Sequence, residues 1–235
     1  FQNDLMSPDT FTSSDFDSYN LALFGQLDHR INYKTSVSGG IRVEHNSQSY
    51  SSTIPEDFDA NDNLFGGQLS LNHQLNQQHL LFASLSRGYK VGGFNTRITL
   101  TNIDPNLFKY EKETSINYEL GLKSSLNNNT IQTAITLFYT DRKNPQLDGY
   151  DIVDGVLVFV TENFDSAENY GVEAEFDWQV NSNWQIFAAL GLLKTSIDGQ
   201  SFKTTVDVSG RDQAHAPRYQ FNIGTQYRHP SGLVA

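Results

Sequence analysis

Three oxygen-bearing side chains at alternate positions, Asp57, Asp59 and Asn61, have the spacing that begins a calcium-binding loop. Such a loop also needs glycine at position 62 for its sharp turn and glutamate at position 68 as a bidentate ligand. This chain has Asp62 and Gln68 there. The pattern therefore favours a solvated polar loop over a calcium site.

The other residues that could do chemistry lack the partners that a reaction needs. The six histidines form no HExxH pair, and the sequence has no GxSxG elbow, no P-loop and no cofactor fingerprint. The chain has no cysteine, which removes disulfides, thiolate chemistry and cysteine-based zinc sites. The sequence therefore predicts a protein that is not an enzyme and that holds no metal or cofactor.

The composition indicates an acidic protein rich in β-forming aromatic residues. The chain has 16 Lys and Arg against 27 Asp and Glu, a formal net charge of −11, which argues against nucleic acid as a partner. Its 16 Phe and 11 Tyr outnumber 2 Trp and 1 Met, a load that suits sheets better than helices. No apolar run reaches the roughly 18 residues of a transmembrane helix.

Apolar and polar side chains alternate along most of the sequence, which is the period of a β-strand. For example, Tyr118 and Leu120 share one face, while Asn117 and Glu119 share the other. The asparagine run at 127–129 predicts a tight turn, because asparagine tolerates left-handed backbone angles. The sequence predicts about nine strands and no helix. The strands lie near 19–28, 35–44, 65–74, 81–86, 116–123, 131–139, 170–179, 184–190 and 219–228.

Short polar turns alternate with long loops between these strands. The long connections are predicted at 48–63, 88–112, 143–168 and 198–217, with a small extra strand at 156–160, and residues 1–17 are predicted to be a loop. An up-and-down meander gives this order, with the short turns at one end and the long loops at the other. Bacterial outer-membrane barrels have the same asymmetry.

The alternation alone leaves open which face is exposed, since a soluble sandwich and a membrane barrel share it. Strands near the roughly 9–11 residues of a spanning strand, loops sorted by end, and aromatic residues near strand ends favour the barrel. Arg87 shares a face with Leu85 and Tyr89, so we expect it to lie near a rim and snorkel. The aromatic residues are Tyr19, Tyr139, Tyr170, Trp178, Trp184 and Tyr227.

Glu173, Glu175 and Asp177 form a row of like charges on the polar face of one predicted strand. In a barrel this row would be either an electrostatic element of the lumen or an ordinary part of its lining. We favour the ordinary lining, with the charges bridged to Lys123, to Arg42 or to water.

Several stretches of the sequence, in order, resemble the barrel of TonB-dependent outer-membrane receptors. The resemblance is greatest to the branch that contains the pesticin and yersiniabactin receptor, and it covers residues from about 80 to 227. The stretches are 86–95 (SRGYKVGGFN), 113–121 (ETSINYELG), 138–146 (FYTDRKNPQ), 162–163 (EN) with 170–175 (YGVEAE), and 216–218 (APR).

The resemblance implies a partial segment of a 22-stranded transmembrane β-barrel in the bacterial outer membrane. Residues 1–235 are then expected to be a middle part of that barrel, without the plug domain, the TonB box and the C-terminal strands. It also implies uptake of a ferric siderophore or similar bulky nutrient, contact with outer-membrane lipid, and TonB as a partner through the missing N-terminal region.

Aromatic and polar residues of the long loops are the candidates for ligand binding, with structural loop packing as an equal alternative for each. They are Phe94, Asn95, Arg97, Tyr110, Tyr150, Phe159 and Arg211. Two other functions stay open on the sequence. One is a passive porin-like barrel, which needs no plug, and the other is a soluble β-rich glycan-binding module.

Overall fold

The computed structural model describes residues 13–53, 57–96, 108–153, 156–199, 207–229 and 231 of the chain. The regular elements in these ranges are β-strands, and no helix there is long and apolar enough to cross a membrane. The strands are β1 (Ser14–Arg30), β2 (Thr35–Ser52), β3 (Phe58–Gln74), β4 (His79–Lys90), β5 (Gly93–Phe94), β6 (Lys109–Tyr110), β7 (Glu113–Leu126), β8 (Ile131–Lys143), β9 (Gln146–Val153), β10 (Val156–Asn163), β11 (Ser166–Gln179), β12 (Trp184–Asp198) and β13 (Tyr219–Tyr227).

Nine strands form one antiparallel sheet in the order β1, β2, β3, β4, β7, β8, β11, β12, β13. Two small sheets, β5 with β6 and β9 with β10, are inserted in the connections. The predicted all-β, antiparallel up-and-down meander is therefore confirmed. Within the described residues, β1 and β13 are the two edges of an open sheet.

Asparagine closes the short connections at one end of this sheet. Oδ1 of Asn32, Asn76 and Asn181 each accepts backbone N–H groups from two following residues, at 2.8 to 3.1 Å. The turn at 127–129 has φ angles of 49°, 54° and 67°, left-handed values that asparagine tolerates. The predicted tight turns are confirmed. We call this end of the sheet the short-turn end and the opposite one the long-loop end.

The strands extend further toward the long-loop end than the alternation indicated. Because β2 continues to Ser52 and β3 begins at Phe58, the long loop predicted at 48–63 is wrong. Asp59 and Asn61, predicted to lie in a solvated loop, belong to β3 and pair with β2. Polar side chains occupy both faces here, which removes the alternation while the backbone ladder continues. Among the described residues, no group of three His, Asp or Glu side chains is placed to hold a metal ion.

Three other predicted loops also contain strand, and the one predicted at 88–112 includes β5 and β6. β1 begins at Ser14, within the loop predicted at 1–17. The loop predicted at 143–168 is largely the hairpin of β9 and β10. The small strand predicted at 156–160 is confirmed and runs to Asn163.

The apolar face of the nine-stranded sheet has no second layer over it in the part of the chain that the structure describes. Leu120 and Leu137 lie opposite each other on β7 and β8, and each is 49% exposed. A soluble sandwich would bury such side chains against another sheet, whereas a barrel presents them to lipid. The exposed apolar face therefore supports the barrel prediction over the sandwich.

Aromatic side chains lie toward both ends of this face. Tyr118, Tyr139 and Tyr170 are cross-strand neighbours on β7, β8 and β11. Near the short-turn end, Trp184 packs on Tyr227 with ring centroids 4.9 Å apart. Amphipathic rings at these positions are typical of the two interfaces of a membrane barrel.

Arg87 is held against the sheet, although it interrupts the apolar face. It lies in register with Gly67 and Ile116. Its guanidinium donates to the backbone carbonyl of Phe65 and lies 5.5 Å from the centre of that ring. The carbonyl and the ring thus both contact the guanidinium, which offsets part of the cost of a charge on the apolar face.

On the opposite face, phenylalanine rings lie over glycines of the next strand. A Cβ at these glycines would come within 2.3 to 2.8 Å of a ring carbon, so no larger residue fits without a shift of the ring. The pairs are Phe82–Gly121, Phe138–Gly171 and Phe187–Gly224.

The acidic row at 173–177 lies on this second face, but the two cations predicted to bridge it make other contacts. Arg42 donates to Glu44 at 2.6 Å. Lys123 Nζ lies 5.4 Å from the centre of the Phe82 ring. That the row is an ordinary part of the lining, rather than an electrostatic element of the lumen, stays a prediction.

Candidate functional site

At the long-loop end, the two small sheets meet and enclose a pocket. β5 and β6 pair through Gly93 with Tyr110, and β9 and β10 form their hairpin beside them. Asn95 joins the two sheets. Its side-chain amide donates to the Thr161 carbonyl at 2.9 Å and accepts the Thr161 N–H at 2.8 Å. Only 8% of Asn95 is exposed, so it links the two walls rather than facing open solvent.

The pocket has a volume of about 340 Å³, toward the lower end of the roughly 300–1,000 Å³ that small-ligand sites occupy. One wall is the β5–β6 sheet and the other is the hairpin. The lining residues are Phe94, Asn95, Thr96 and Tyr110 from the first wall, and Asp148, Gly149, Phe159, Val160 and Thr161 from the second.

Four of the predicted ligand-binding residues line this pocket together: Phe94, Asn95, Tyr110 and Phe159. Tyr150 lies directly across the hairpin from Phe159, on the same face and next to the pocket. Arg211 lies elsewhere, in the β12–β13 connection, where its backbone bonds to Ile197. Arg97 lies outside the described residues. Ligand binding by any of these residues stays a prediction.

Tyr110 and Asp148 give the pocket its polar character. Burial, and then the nearby Asp148 carboxylate, raise the pKa of Tyr110 above its ordinary value, so the hydroxyl stays protonated and can donate a hydrogen bond. Asp148 accepts a bond from Thr161 Oγ1 at 2.9 Å. Tyr150 and Phe159 are 65% and 59% exposed. Exposed aromatic rings beside a few polar groups are typical of a site for an organic ligand.

The β5–β6 sheet rests on a stack of aromatic rings that the sequence did not reveal. Phe94 stacks on Tyr50 and Phe58, with centroids 6.2 and 6.1 Å away, and Phe58 stacks on Phe108 at 5.3 Å. Lys109 Nζ lies 5.2 Å from the centre of the Phe58 ring. Tyr50 and Phe108 are each 4% exposed. The stack is therefore a small hydrophobic core at the long-loop end.

A buried ion pair joins the outer ends of β7 and β8 to the connections around them. Arg142 Nε donates to Glu113 Oε1 at 2.7 Å, and the two side chains are 18% and 7% exposed. Glu113 Oε2 accepts the backbone N–H of Gln146 at 2.9 Å. Arg142 Nη1 donates to Gln213 at 3.2 Å, and Gln146 Nε2 donates to the Val91 carbonyl at 2.7 Å. One ion pair thus organises three connections.

These residues were not among the predicted site residues, although the sequence contained a signal for some of them. Glu113 begins the stretch at 113–121, and Arg142 and Gln146 lie in the stretch at 138–146, both of which carry the family resemblance. Gln213 lies 71 positions from Arg142, a separation that no local pattern can bridge.

A family model and several known proteins match this chain. The family model described as TonB dependent receptor-like, beta-barrel, matches residues 2–233. Curated proteins named pesticin receptor, from Yersinia pestis and Yersinia enterocolitica, are each 30% identical over 171 residues, which is 70% of this chain and 24% of theirs. This chain thus spans about a quarter of the length of these curated relatives.

Solved structures share the fold. The ferric yersiniabactin uptake receptor FyuA from Yersinia pestis matches with a TM-score of 0.72 at 22% identity, over 92% of this chain and 32% of that chain. The siderophore receptor PiuA from Acinetobacter baumannii matches with a TM-score of 0.68 at 15% identity, over 94% of this chain and 33% of that chain. At these identities the likeness concerns the fold alone.

Proposed function

Because the chain belongs to the family of TonB-dependent receptor-like β-barrels, we propose that it is part of a receptor that imports a ferric siderophore or a similarly bulky nutrient. The family places it in the outer membrane. The observation that carries the proposal is the pocket between the β5–β6 sheet and the β9–β10 hairpin, which gathers four predicted residues at the long-loop end. The solved relatives include a ferric yersiniabactin uptake receptor and a siderophore receptor, which supports this class of ligand.

The proposal places residues 1–235 within a larger barrel of about 22 strands, with the plug and the TonB-contacting segment encoded elsewhere in the receptor. Two observations support it. The nine-stranded sheet is open in the described residues, and exposed sheet edges in a membrane need partners. The second face also carries acidic residues such as Glu173 and Glu175, which a plug domain would cover.

A passive porin-like barrel would share the fold but would need neither a plug nor TonB, whereas no observation favours a soluble glycan-binding module. Uptake measured in iron-limited cells that carry the full receptor distinguishes a TonB-dependent importer from a passive porin. Uptake of a ferric chelate should stop when TonB is deleted. Uptake that continues without TonB would contradict the proposed function and favour the porin.

Removing both exposed rings of the hairpin should weaken ligand capture. We expect Tyr150→Ala combined with Phe159→Ala to lower the affinity of the full receptor by about ten-fold or more, because buried aromatic contacts dominate many binding sites. The measurement is uptake of radioactive iron against chelate concentration. Tyr33→Ala is the matched control, since Tyr33 is 87% exposed but belongs to the short-turn end. Equal affinities in all variants would remove the hairpin from the ligand site.

Thiol labelling on intact cells should distinguish the two ends of the sheet. Gln77→Cys lies in a turn at the short-turn end, and Arg211→Cys lies at the long-loop end. Short turns of outer-membrane barrels face the periplasm, so a membrane-impermeant maleimide should modify position 211 and miss position 77. Permeabilised cells, in which both sites should react, are the control. Labelling of position 77 on intact cells would invert the orientation.

A further inference from the structure

At the long-loop end, β3 and β4 separate and leave one edge of β3 open. The β3–β4 ladder ends at Gly67, whereas the β2–β3 ladder continues to Phe58. Carbonyls along a strand alternate in direction, so odd-numbered residues in this part of β3 share the open edge. Cationic side chains donate hydrogen bonds to three of these carbonyls. They are Lys109 on Asp59 at 2.9 Å, Lys112 on Asn63 at 3.1 Å, and Arg87 on Phe65.

The β5–β6 sheet is held beside β3 by side-chain contacts, because no strand ladder joins them in the described residues. Asp62 of β3 makes two of these contacts. Its Oδ2 accepts the N–H of Gly92 at 3.1 Å, and its Oδ1 lies 3.5 Å from Lys112 Nζ. Gly92 precedes β5 and Lys112 follows β6. One carboxylate, 19% exposed, therefore contacts the residues next to both strands at one end of the small sheet, where β5 begins and β6 finishes.

The fit around Gly92 leaves no space for a side chain. A Cβ there would lie 2.7 Å from the Tyr110 carbonyl oxygen and 3.2 Å from Asp62 Oδ2. The Gly92 carbonyl also accepts a bond from Gln48 of β2, at 3.3 Å. The segment that precedes β5 is thus packed between β3 and β6, and Asp62 is its contact on β3.

We propose that Asp62 is a positioning residue for the candidate pocket: it fixes the β5–β6 wall against β3 and so places Phe94 and Tyr110. Asp62 does not itself line the pocket. This inference rests on the proposed function, because the pocket is taken to be the ligand site. The positioning is nevertheless a property of the protein without ligand. In the sequence, Asp62 was notable only as the residue that breaks the calcium-loop spacing.

The test uses the full receptor in lipid vesicles and needs no ligand. Amide hydrogen exchange reports on Gly92 and on Asn95, whose N–H donates to the Phe108 carbonyl at 2.8 Å. A Gly149→Cys background reports on pocket access through its alkylation rate, since a Cβ at Gly149 meets only Glu162, at 3.5 Å. Asp62→Ala should speed exchange by about ten-fold or more, and should speed alkylation.

The matched control is Asp59→Ala on the same strand. Asp59 is exposed, and its contact with Lys109 uses the backbone carbonyl alone, so neither rate should change. Asp62→Asn keeps an acceptor for Gly92 but loses the charge that faces Lys112. It should therefore restore much of the protection of the Gly92 amide from exchange. The amides at 108–112 should still exchange faster than in the unsubstituted receptor. This variant also serves if Asp62→Ala does not assemble.

The outcomes separate the two proposals. Equal exchange and alkylation in the Asp62 and Asp59 variants would overturn the positioning role, whatever the receptor imports. Faster exchange in the Asp62 variants of a receptor that shows no TonB-dependent uptake would leave the positioning role standing and would remove the proposed function. A barrel that keeps its heat resistance in every variant shows that the effect is local.

Discussion

An arginine in place of Leu137 should lower the free energy of unfolding of the barrel by about 2–4 kcal/mol. Leu137 lies opposite Leu120 on a face without a second layer in the described residues, and it is 49% exposed. In the membrane this face meets hydrocarbon, where the guanidinium must either lose its hydration or bend toward an interface. Leu120→Arg and Phe176→Arg should behave in the same way, because both residues share this face.

Thr136→Arg is the matched control for that substitution. Thr136 is adjacent to Leu137 on β8 but points to the opposite face, where it lies across from Gly121 and Glu173. A new cation near an acidic side chain in a wet lumen should cost much less than one in lipid. Urea unfolding of the full receptor in vesicles measures both. Equal losses of unfolding free energy in the two arginine variants would mean that the apolar face does not meet lipid.

The sequence predicts the part of the fold in which one face differs from the other. Between Ser115 and Leu137 the alternation is strong, as expected where one face of a barrel meets lipid and the other meets water. That contrast disappears toward the long-loop end, where β2 and β3 carry polar groups on both faces. The strands continue there because backbone hydrogen bonds need no apolar pattern. The loop predicted at 48–63 was wrong for this reason.

The candidate pocket was partly predictable because loop aromatics beside polar residues are common at ligand sites. Phe94, Asn95, Tyr110 and Phe159 were identified on that basis, and they do converge. The residues that pack against these four could not be identified from the sequence. Tyr50, 4% exposed, stacks on Phe94, which lies more than forty residues later in the chain. Periodicity within a strand carries no information on such long-range packing.

Replacing Glu113 with alanine should destabilise the long-loop end by about 3–5 kcal/mol, the usual cost of leaving one member of a buried ion pair alone. The Arg142 guanidinium would lose its carboxylate, and the Gln146 N–H would lose its acceptor. The measurement is hydrogen exchange of the Gln146 amide in the full receptor. It should become faster by at least about a hundred-fold, because each 1.4 kcal/mol corresponds to roughly a factor of ten.

Glu111→Ala is the control, since Glu111 precedes Glu113 by two positions but is exposed. Among the residues that the structure describes, its carboxylate accepts one bond, from Asn144 at 3.2 Å. A surface change of this kind should cost about 0.5 kcal/mol or less. If both alanine variants exchange at the same rate, the buried pair does not organise the connections around it.

The double variant Glu113→Met with Arg142→Met decides whether charge is the cause. Alanine at Glu113 leaves a guanidinium that is 18% exposed and unpaired. Two methionines leave neutral partners unsatisfied at Gln146 and Gln213. Lys90, 3.9 Å from Glu113, is 59% exposed and keeps its charge in water. A buried neutral group that loses its hydrogen-bond partner costs about 1–3 kcal/mol, and an isolated buried charge costs more. The double variant should therefore be more stable than Glu113→Ala, although it lacks both members of the pair. A double variant that is less stable would show that the packing of these side chains, rather than the pairing of their charges, holds the long-loop end together.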